Sequence, residues 1–388
     1  MKQLAKITNG LIGQPMFNLL ARINQLEEAG RRIIHFEIGD PNFPSPPGAV
    51  SAAHQALDNG ETHYTNSMGM MELRRDLCDY TRRTLGFKPD PEQILVSPAN
   101  AIIDYTIRCV ADPDDEVMYP DPGFPTYHSV LSYTGNKGTA IPLLEENGFV
   151  PDPSFIRRHI TAKTKLIIVN SPHNPTGSMM DSDLIKEIYD IAEQNDIYLL
   201  SDEVYGKIVY DKPHYSPGVY DKCADRVIIL DSFSKVYSMS GWRMGYAIGP
   251  KHLIEKMGLL LQTTISCLPA FVQRGAQSLL AGSGELVKER NAELKRRRDA
   301  IVRGINSIKG MRCLPPDGAF YVFVNVKETG LTGKQMADLL LEKANVAVLD
   351  GNCFGSHSHE YIRICYASTD LATIMEAIEK VKTALTKE

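Results

Sequence analysis

Continuous apolar runs alternate with amphipathic stretches along the middle of the chain. The runs that predict buried strands are 94–96, 165–170, 197–202, 227–230 and 244–248. Apolar residues at helical spacing fall between and around them, at 47–57, 102–110, 184–194, 251–261 and 270–281. Strands that are apolar on both faces are typical of a mostly parallel sheet covered by helices. The pattern therefore predicts an α/β domain.

The two ends of the chain have a different pattern. Residues 17–29 predict an amphipathic helix that stops at Gly30, and a short strand at 33–38 leads into a Gly- and Pro-rich loop. Residues 285–309 predict a long charged helix whose charges form a solvated face. We therefore predict a large domain at 46–284 and a small domain made from 1–45 and 285–388.

Composition excludes several classes of protein. The net charge of −5 gives no basic footprint for nucleic acid. The seven cysteines are scattered without metal-type spacing, which favours reduced thiols in the cytoplasm. We also see no signal peptide at the N-terminus, no run of the roughly 20 apolar residues that a membrane helix needs, and no metal motif.

One lysine, Lys235, lies just beyond a predicted strand, 227–230, with Arg243 eight positions later. An isolated lysine is usually a solvated surface group. Here burial and the like charge of Arg243 would both disfavour the ammonium form and leave an amine able to form a Schiff base. Arg243 with the hydroxyls of Ser232 and Ser234 suits a phosphate dianion. Amine and phosphate site together predict pyridoxal phosphate.

Two other charged residues lie on predicted strands. Asp202 ends one, and a buried carboxylate is costly unless a cation pairs with it. A protonated pyridine nitrogen is such a cation, and the pair keeps the ring able to accept electrons. Arg363 lies within the alternating apolar strand 361–367 and needs an anion there. A substrate carboxylate held in a bidentate grip is one partner, and a structural ion pair is the alternative.

The block from Ser232 to Gly245 resembles the cofactor-lysine signature of the class I/II aminotransferases, which are fold-type I pyridoxal phosphate enzymes. Asn174-Pro175-Thr176-Gly177 follows a predicted strand about sixty residues earlier, and the proline-rich loop 119–127 also matches. The resemblance covers nearly the whole chain. It implies a mostly parallel seven-stranded sheet between helices, a smaller α+β domain built from both termini, and a homodimer with shared active sites.

The resemblance also implies roles for single residues. Lys235, Asp202 and Tyr205 would be catalytic, and Tyr64 would reach the cofactor phosphate of the neighbouring subunit. The further cofactor contacts would be Asn100, Ala101, Phe124, Asn174, Ser232, Ser234 and Arg243, and the substrate contacts Gly39, Asn174 and Arg363. Tyr64 could equally be a core or turn aromatic, and Glu203 stays unassigned.

Three positions depart from the family pattern, and the first is Ala99, which stands where glycine is expected. Ala101 stands where a hydroxyl or a lysine is common, and the lysine binds a side-chain carboxylate in related aspartate-specific enzymes. Asn42 replaces the usual aspartate in the loop that begins at Gly39, and could equally belong to a plain inter-domain turn. The missing lysine argues against a dedicated pocket for dicarboxylic substrates.

These expectations combine into an aminotransferase that moves an amino group between an L-amino acid, neutral or aromatic rather than dicarboxylic, and a 2-oxo acid. The exchange would be of the ping-pong type and would use Lys235. A β-eliminating lyase or a decarboxylase on the same scaffold is an alternative, because their first intermediate is the same. A metabolite-sensing module is a rival of another class, disfavoured by the lack of a basic DNA-binding arm.

Overall fold

A seven-stranded sheet forms the centre of the chain, with strand order β2-β8-β7-β6-β5-β3-β4. The computed structural model describes residues 2–11, 13 and 15–386. Within them the strands are β1 (Ile34–His35), β2 (Ile94–Val96), β3 (Glu116–Asp121), β4 (Lys137–Pro142), β5 (Thr164–Asn170), β6 (Tyr198–Asp202), β7 (Val227–Ser232), β8 (Gly245–Ile248), β9 (Tyr321–Asn325), β10 (Val346–Ala347), β11 (Leu349–Asp350) and β12 (Tyr361–Cys365).

Helices lie between the strands and at both ends of the chain. The α-helices in the described residues are α1 (Pro15–Glu28), α2 (Pro47–Asp58), α3 (Met71–Leu85), α4 (Ala99–Val110), α5 (Pro125–Thr134), α6 (Pro153–His159), α7 (Ser182–Gln194), α8 (Gly218–Asp221), α9 (Phe233–Val236), α10 (Lys251–Thr264), α11 (Ala270–Gln277), α12 (Gly284–Asn306), α13 (Gly333–Leu339) and α14 (Leu371–Thr386). None of the described helices is long and apolar enough to cross a bilayer.

The central sheet is parallel except for β8, which runs antiparallel to both of its neighbours. Every residue of β7 is buried, as its continuous apolar sequence predicts. In register, Asn170 pairs with Asp202, and Asp202 pairs with Leu230. The carboxyl ends of β5, β6 and β7 therefore meet at one level, where open α/β sheets place their ligand sites. The predicted α/β fold with a mostly parallel seven-stranded sheet is confirmed.

A second layer of structure combines the two ends of the chain. Strands β11, β12 and β9 form an antiparallel sheet, and β1 pairs in parallel with β10. The predicted strand 33–38 is shorter than expected, because only Ile34 and His35 find partners on β10. Met1 and residues 12, 14, 387 and 388, which the predicted small domain includes, lie outside the described residues.

The prediction of a solvated charged face on α12 is wrong for three arginines. Arg290, Arg297 and Arg298 are each at most 8% exposed. Arg290 donates to the carbonyl of Pro44, and Arg297 donates to Asn42 Oδ1 at 2.8 Å. Guanidinium groups with several fixed donors satisfy carbonyl oxygens of loops that a helix would otherwise leave unpaired. Arg290 and Arg297 therefore join α12 to the loop that contains Asn42 and Pro44, whereas Arg298 donates to Asp211 and to the carbonyl of Pro316.

Candidate active site

A cavity of about 590 Å³ opens at the carboxyl ends of the central strands. The sheet supplies one wall, and segments from the two ends of the chain supply the other. A volume of this size suits a small cofactor together with a small substrate. The wall consists of Met16, Ile38, Gly39, Asp40, Ala99, Asn100, Ile103, Phe124, Asn170, Asn174, Asp202, Val204, Tyr205, Leu230, Ser232, Ser234, Lys235, Ser240, Gly241, Arg243, Tyr321 and Arg363.

The amine of Lys235 lies inside this cavity, on the short helix α9 that follows β7. Its Nζ donates to the carbonyl of Gly39 at 2.6 Å. Burial lowers the pKa of the Lys235 ammonium below its ordinary value. The positive charges of Arg363 and Arg243 also lower this pKa, whereas the carboxylate of Asp40 raises it. Among the lysines that the structure describes, Lys235 is therefore the one that most readily presents a neutral, nucleophilic amine.

A second lysine shows what the surroundings of Lys235 lack. Lys207 forms an ion pair with Asp231, which also accepts from the hydroxyl of Tyr246 at 2.7 Å. Burial alone would lower the pKa of Lys207, but the carboxylate of Asp231 raises it well above the usual lysine value. Lys207 stays an ammonium and is not nucleophilic, whereas no described carboxylate forms an ion pair with Lys235.

Asp202 ends β6 and is 5% exposed. Its Oδ2 accepts from the hydroxyl of Tyr127 at 2.6 Å, and its Oδ1 accepts from the amide of Val204 at 3.3 Å. Burial raises the pKa of this carboxyl to about 6, although both hydrogen bonds oppose the rise. No described cation forms a salt bridge with it. A buried carboxylate in this state would gain from a protonated ring nitrogen in the cavity.

Groups suited to a phosphate also line the cavity. The first turn of α4 brings Ala99 and Asn100 to the wall, and helix amides at this position attract anions. The hydroxyls of Ser232 and Ser234 lie 2.9 Å apart beside them. Arg243 adopts a left-handed backbone with φ 55°, which is unfavourable for a residue with a side chain. Strain of this kind is often kept at a binding site.

Arg363 is 1% exposed and lies on β12. Its Nη1 donates to Asn174 Oδ1 at 3.1 Å, and its Nη2 donates to the carbonyl of Glu37 at 2.6 Å. Its Nε is buried without a partner in the described structure. No salt bridge to Arg363 exists among the described residues, so the alternative of a structural ion pair is wrong. The charge is free to meet a carboxylate in the cavity.

The structure brings together all the predicted site residues except two. Tyr64 is 88% exposed, away from the cavity of its own chain. Ala101 also does not line the wall, and its amide donates to the carbonyl of Pro98 at 3.0 Å. Asn42 is a structural residue, because its side chain accepts from Arg297. Glu203 is likewise structural, since it accepts from Ser216 Oγ at 2.6 Å and contacts His214.

Sequence reasoning missed two tyrosines that complete the site. Tyr127 donates to Asp202, and Tyr321 lies with its hydroxyl 2.8 Å from that of Tyr205. Both belong to segments that match the family, but an aromatic ring within an apolar segment is usually part of the core. The alternation of side chains along β9 could have indicated Tyr321. Tyr321 and Phe323 lie on the same face of β9, and Phe323 is directly opposite Arg363 on β12, so Tyr321 lies on the face of the sheet that carries Arg363.

The residues present fit pyridoxal phosphate. A buried amine without an ion-pair partner, a buried carboxylate without a cation, and a group of anion donors all face one cavity. Three groups of this kind match an aldehyde, a ring nitrogen and a phosphate, which the cofactor carries on one flat molecule.

Comparison with known proteins gives the same assignment. Residues 31–381 match the model of the family described as aminotransferase class I and II. An aspartate aminotransferase from Pyrococcus horikoshii is 35% identical over 95% of this chain and 94% of its own length. An aromatic-amino-acid aminotransferase from Thermococcus litoralis is 33% identical over 93% of this chain and 95% of its own length. The solved structure of Thermus thermophilus aspartate aminotransferase with maleate superposes with a TM-score of 0.94, at 29% identity and over 99% of this chain and 100% of that one.

Proposed function

This chain belongs to the class I and II aminotransferases, a family of pyridoxal phosphate enzymes, and we propose that its amino donor is a neutral or aromatic L-amino acid. The amino group passes to a 2-oxo acid. The exchange is of the ping-pong type, in which the first product leaves before the second substrate binds.

The charges on the cavity wall carry the substrate preference. The cations on the described wall are Lys235, Arg243 and Arg363, and each has a role with the cofactor or with the substrate's α-carboxylate. Elsewhere the wall is apolar at Met16, Ile38 and Ile103. Asp40 adds a negative charge, which would repel a second carboxylate on the substrate.

A pair of donors with similar shapes tests this preference. Leucine and aspartate differ mainly in the charge of the side-chain end. We expect the holoenzyme to react with leucine or phenylalanine at least about tenfold faster, in kcat/KM, than with aspartate, which corresponds to about 1.4 kcal/mol of discrimination. Single-turnover absorbance changes without an acceptor measure this, so the choice of 2-oxo acid does not matter. Faster reaction with aspartate would refute the preference.

Five residues of the cavity then have defined tasks. When bound, pyridoxal phosphate supplies a carbonyl that takes up the amino group and an electron-poor ring that stabilises negative charge at Cα. Lys235 holds the cofactor and then moves the proton of the substrate Cα. Asp202 keeps the ring nitrogen protonated, and Tyr205 donates to the ring hydroxyl oxygen. Arg363 and Asn174 hold the α-carboxylate and thereby orient the bond that breaks.

Five further residues would hold the cofactor. We assign the phosphate to the amide end of α4 at Asn100, to Ser232 and Ser234, and to Arg243. The ring of Phe124 is half-buried at the start of α5 and would stack on the pyridine. Gly39 would meet the substrate, because its carbonyl already contacts Lys235.

The role proposed for Lys235 has a direct chemical test. Borohydride reduction of the holoenzyme should fix the cofactor on Lys235 and leave Lys207 unmodified, because Lys207 is held as an ammonium by Asp231. Peptide mapping locates the mark. Lys235→Ala should lose the mark and at least about 10³-fold in kcat, in the range expected for a group that acts as both nucleophile and base. A mark on any other lysine would contradict the assignment.

Product analysis separates transamination from the related reactions. A β-lyase releases ammonia and a decarboxylase releases carbon dioxide, whereas an aminotransferase yields a 2-oxo acid in equal amount to the new amino acid. A sensing module would bind the ligand without turnover.

We also propose a homodimer in which each site is completed by the partner subunit. Tyr64 is a large aromatic residue that is 88% exposed, and Leu259 and Ile265 are also exposed apolar residues. Apolar side chains of this size on a surface favour burial against a second chain. Tyr64→Phe would then change the affinity of the partner's site for the cofactor.

Two other proposals concern the chain as a whole. We place the large domain at 46–284 and the small domain at 1–45 with 285–388, which is supported by the β1–β10 pairing between the two ends. All seven cysteines are free thiols, and this supports a cytoplasmic location.

A further inference from the structure

Tyr321, at the start of β9, contacts residues from both walls of the cavity. It is 1% exposed. Its hydroxyl lies 2.8 Å from the hydroxyl of Tyr205, and the guanidinium of Arg363 lies 4.5 Å from the centre of its ring. One side chain therefore contacts both the residue proposed to bind the ring hydroxyl oxygen and the residue proposed to bind the substrate.

The hydroxyl of Tyr321 also fixes the position of the Gly39 loop. A Cβ placed on Gly39 would overlap this hydroxyl, so only glycine lets the loop approach so closely. The carbonyl of Gly39 accepts from Lys235 Nζ at 2.6 Å. The phenol therefore lies against the backbone that binds the amine of Lys235.

The direction of the tyrosine–tyrosine hydrogen bond follows from the proton count. Each phenol has a single proton to donate. If Tyr205 gives its proton to the ring hydroxyl oxygen, it can only accept from Tyr321. A donor that is itself hydrogen-bonded at oxygen is polarised and donates more strongly, by roughly 10–30% per bond.

We propose that Tyr321 is a positioning residue that donates to Tyr205, strengthens the hydrogen bond of Tyr205 to the cofactor, and holds the guanidinium of Arg363 over its own ring. This inference rests on the proposed function, which assigns Tyr205 and Arg363 their roles. Substrate binding at Arg363 and the electronic state of the cofactor are thereby connected through one ring.

The chain offers a matched control for testing this. The buried Tyr366 and the partly buried Tyr210 form a second pair, with hydroxyls 2.9 Å apart, and neither lines the cavity. Tyr321→Phe and Tyr366→Phe each remove one hydroxyl from such a pair and keep the ring. A purely structural loss should be similar in the two variants, as measured by thermal unfolding.

The decisive measurement is the pH dependence of the absorbance of the lysine-linked cofactor in the holoenzyme. A hydrogen bond to the ring hydroxyl oxygen stabilises the linkage more strongly after the linkage has lost its proton, because the negative charge on that oxygen is then uncompensated. Tyr321→Phe should therefore raise the pKa of the linkage by about 0.5 unit, a fraction of one strong hydrogen bond, while Tyr366→Phe leaves it unchanged. Equal pKa values in wild type and Tyr321→Phe would overturn the inference.

A double-mutant cycle shows whether Tyr321 acts through Tyr205. Tyr205→Phe should raise the same pKa by more than Tyr321→Phe does, and the double variant should show no further rise, because the second hydroxyl then has nothing to strengthen. Additive shifts would mean that Tyr321 does not act through Tyr205. Absence of a lysine-linked chromophore in the wild type would instead refute the proposed function, so the two failures are distinguishable.

Discussion

The two walls of the cavity are built from the chain in different ways. Asn174, Asp202, Tyr205 and Lys235 form the sheet wall, and each lies at the end of a strand of the central sheet or a few residues beyond it. Gly39, Tyr321 and Arg363 form the terminal wall, where Arg363 donates to a carbonyl 326 positions earlier in the chain. The sheet wall carries the carboxylate of Asp202 and the terminal wall carries the guanidinium of Arg363, and neither forms a salt bridge within the described residues.

This difference suggests a division of work. Groups at the strand ends are fixed by the sheet and suit a permanently held cofactor, whereas the terminal wall depends on contacts between distant segments and suits a substrate that comes and goes. Substitutions in the sheet wall should change the chemical step. Substitutions in the terminal wall should change substrate affinity and leave the cofactor in place.

The largest effect is expected from Asp202→Asn in the sheet wall. The amide keeps the shape and can still accept from Tyr127, but it carries no charge to hold a proton on the ring nitrogen. We expect kcat to fall by about 10²–10³-fold with KM little changed, as is typical when one preorganised electrostatic group is lost. Steady-state kinetics of the cofactor-loaded variant measure this. An unchanged kcat would contradict the role of Asp202.

Wild type and Asp202→Asn without cofactor should show how much the buried carboxylate lowers the free energy of unfolding. The pKa of Asp202 is about 6 in the folded chain and 3.8 for an unperturbed carboxyl. Between these values the folded state binds more protons, so the free energy of unfolding falls as pH rises from about 4 to 6. The variant lacks this loss. The free energy of unfolding of Asp202→Asn should therefore rise relative to that of wild type across this window, by at most about 3 kcal/mol, and the difference should then stay constant. Urea unfolding at several pH values measures it.

Arg363→Lys in the terminal wall should have a smaller effect of a different kind. Lysine keeps the charge but loses the bidentate fork and the stacking on Tyr321. We expect KM for the amino acid to rise about 10–100-fold, which corresponds to the loss of one or two charged hydrogen bonds. The cofactor should stay bound, as its absorbance would show. Arg74→Lys is the matched control, because Arg74 is a buried arginine that donates to the carbonyl of Pro91 and does not line the cavity. A loss of cofactor in Arg363→Lys would mean that the walls are not separate.

The contrast between the walls also explains how much the sequence could predict. Asp202 and Lys235 could be predicted as neighbours because each lies at or just beyond the end of an apolar strand, and such ends converge at one edge of a parallel sheet. Arg363 was found because a guanidinium in an apolar strand is unusual. Tyr321 was missed because its partner Tyr205 is 116 positions away and an aromatic ring in a strand gives no sign of such a contact.

The buried arginines of α12 were misjudged for a related reason. Charged residues on a long helix usually face water. Arg290 instead donates to a carbonyl 246 positions earlier, and Arg297 to one 70 positions later. The helical periodicity of α12 gives no information about the segments that contain these carbonyls, so the burial of the arginine side chains could not be predicted from it.

The smallest effect is expected at the outer side of the terminal wall, where His35 contacts two glutamates. Its Nδ1 lies 2.8 Å from Glu37 Oε1 and its Nε2 lies 3.1 Å from Glu27 Oε1. The hydrogen bond to Glu37 raises the pKa of His35 to about 9, above the 6.5 of a free imidazole. Since the folded state holds the proton more tightly, the stabilisation is complete below pH 6.5 and is lost as pH rises through 9.

His35→Gln tests whether this contact supports the terminal wall. The imidazole is partly exposed, so solvent screening limits its contribution to about 0.5–1 kcal/mol. Urea unfolding should show that wild type loses this much stability between pH 6.5 and 9 while the variant is flat across the same window. The carbonyl of Glu37 accepts from Arg363, so Arg363 should bind the substrate carboxylate slightly less tightly in the variant at pH 7. The resulting rise in KM should be much smaller than in Arg363→Lys. If both proteins lose stability equally over this window, another group is responsible and His35 does not support the wall.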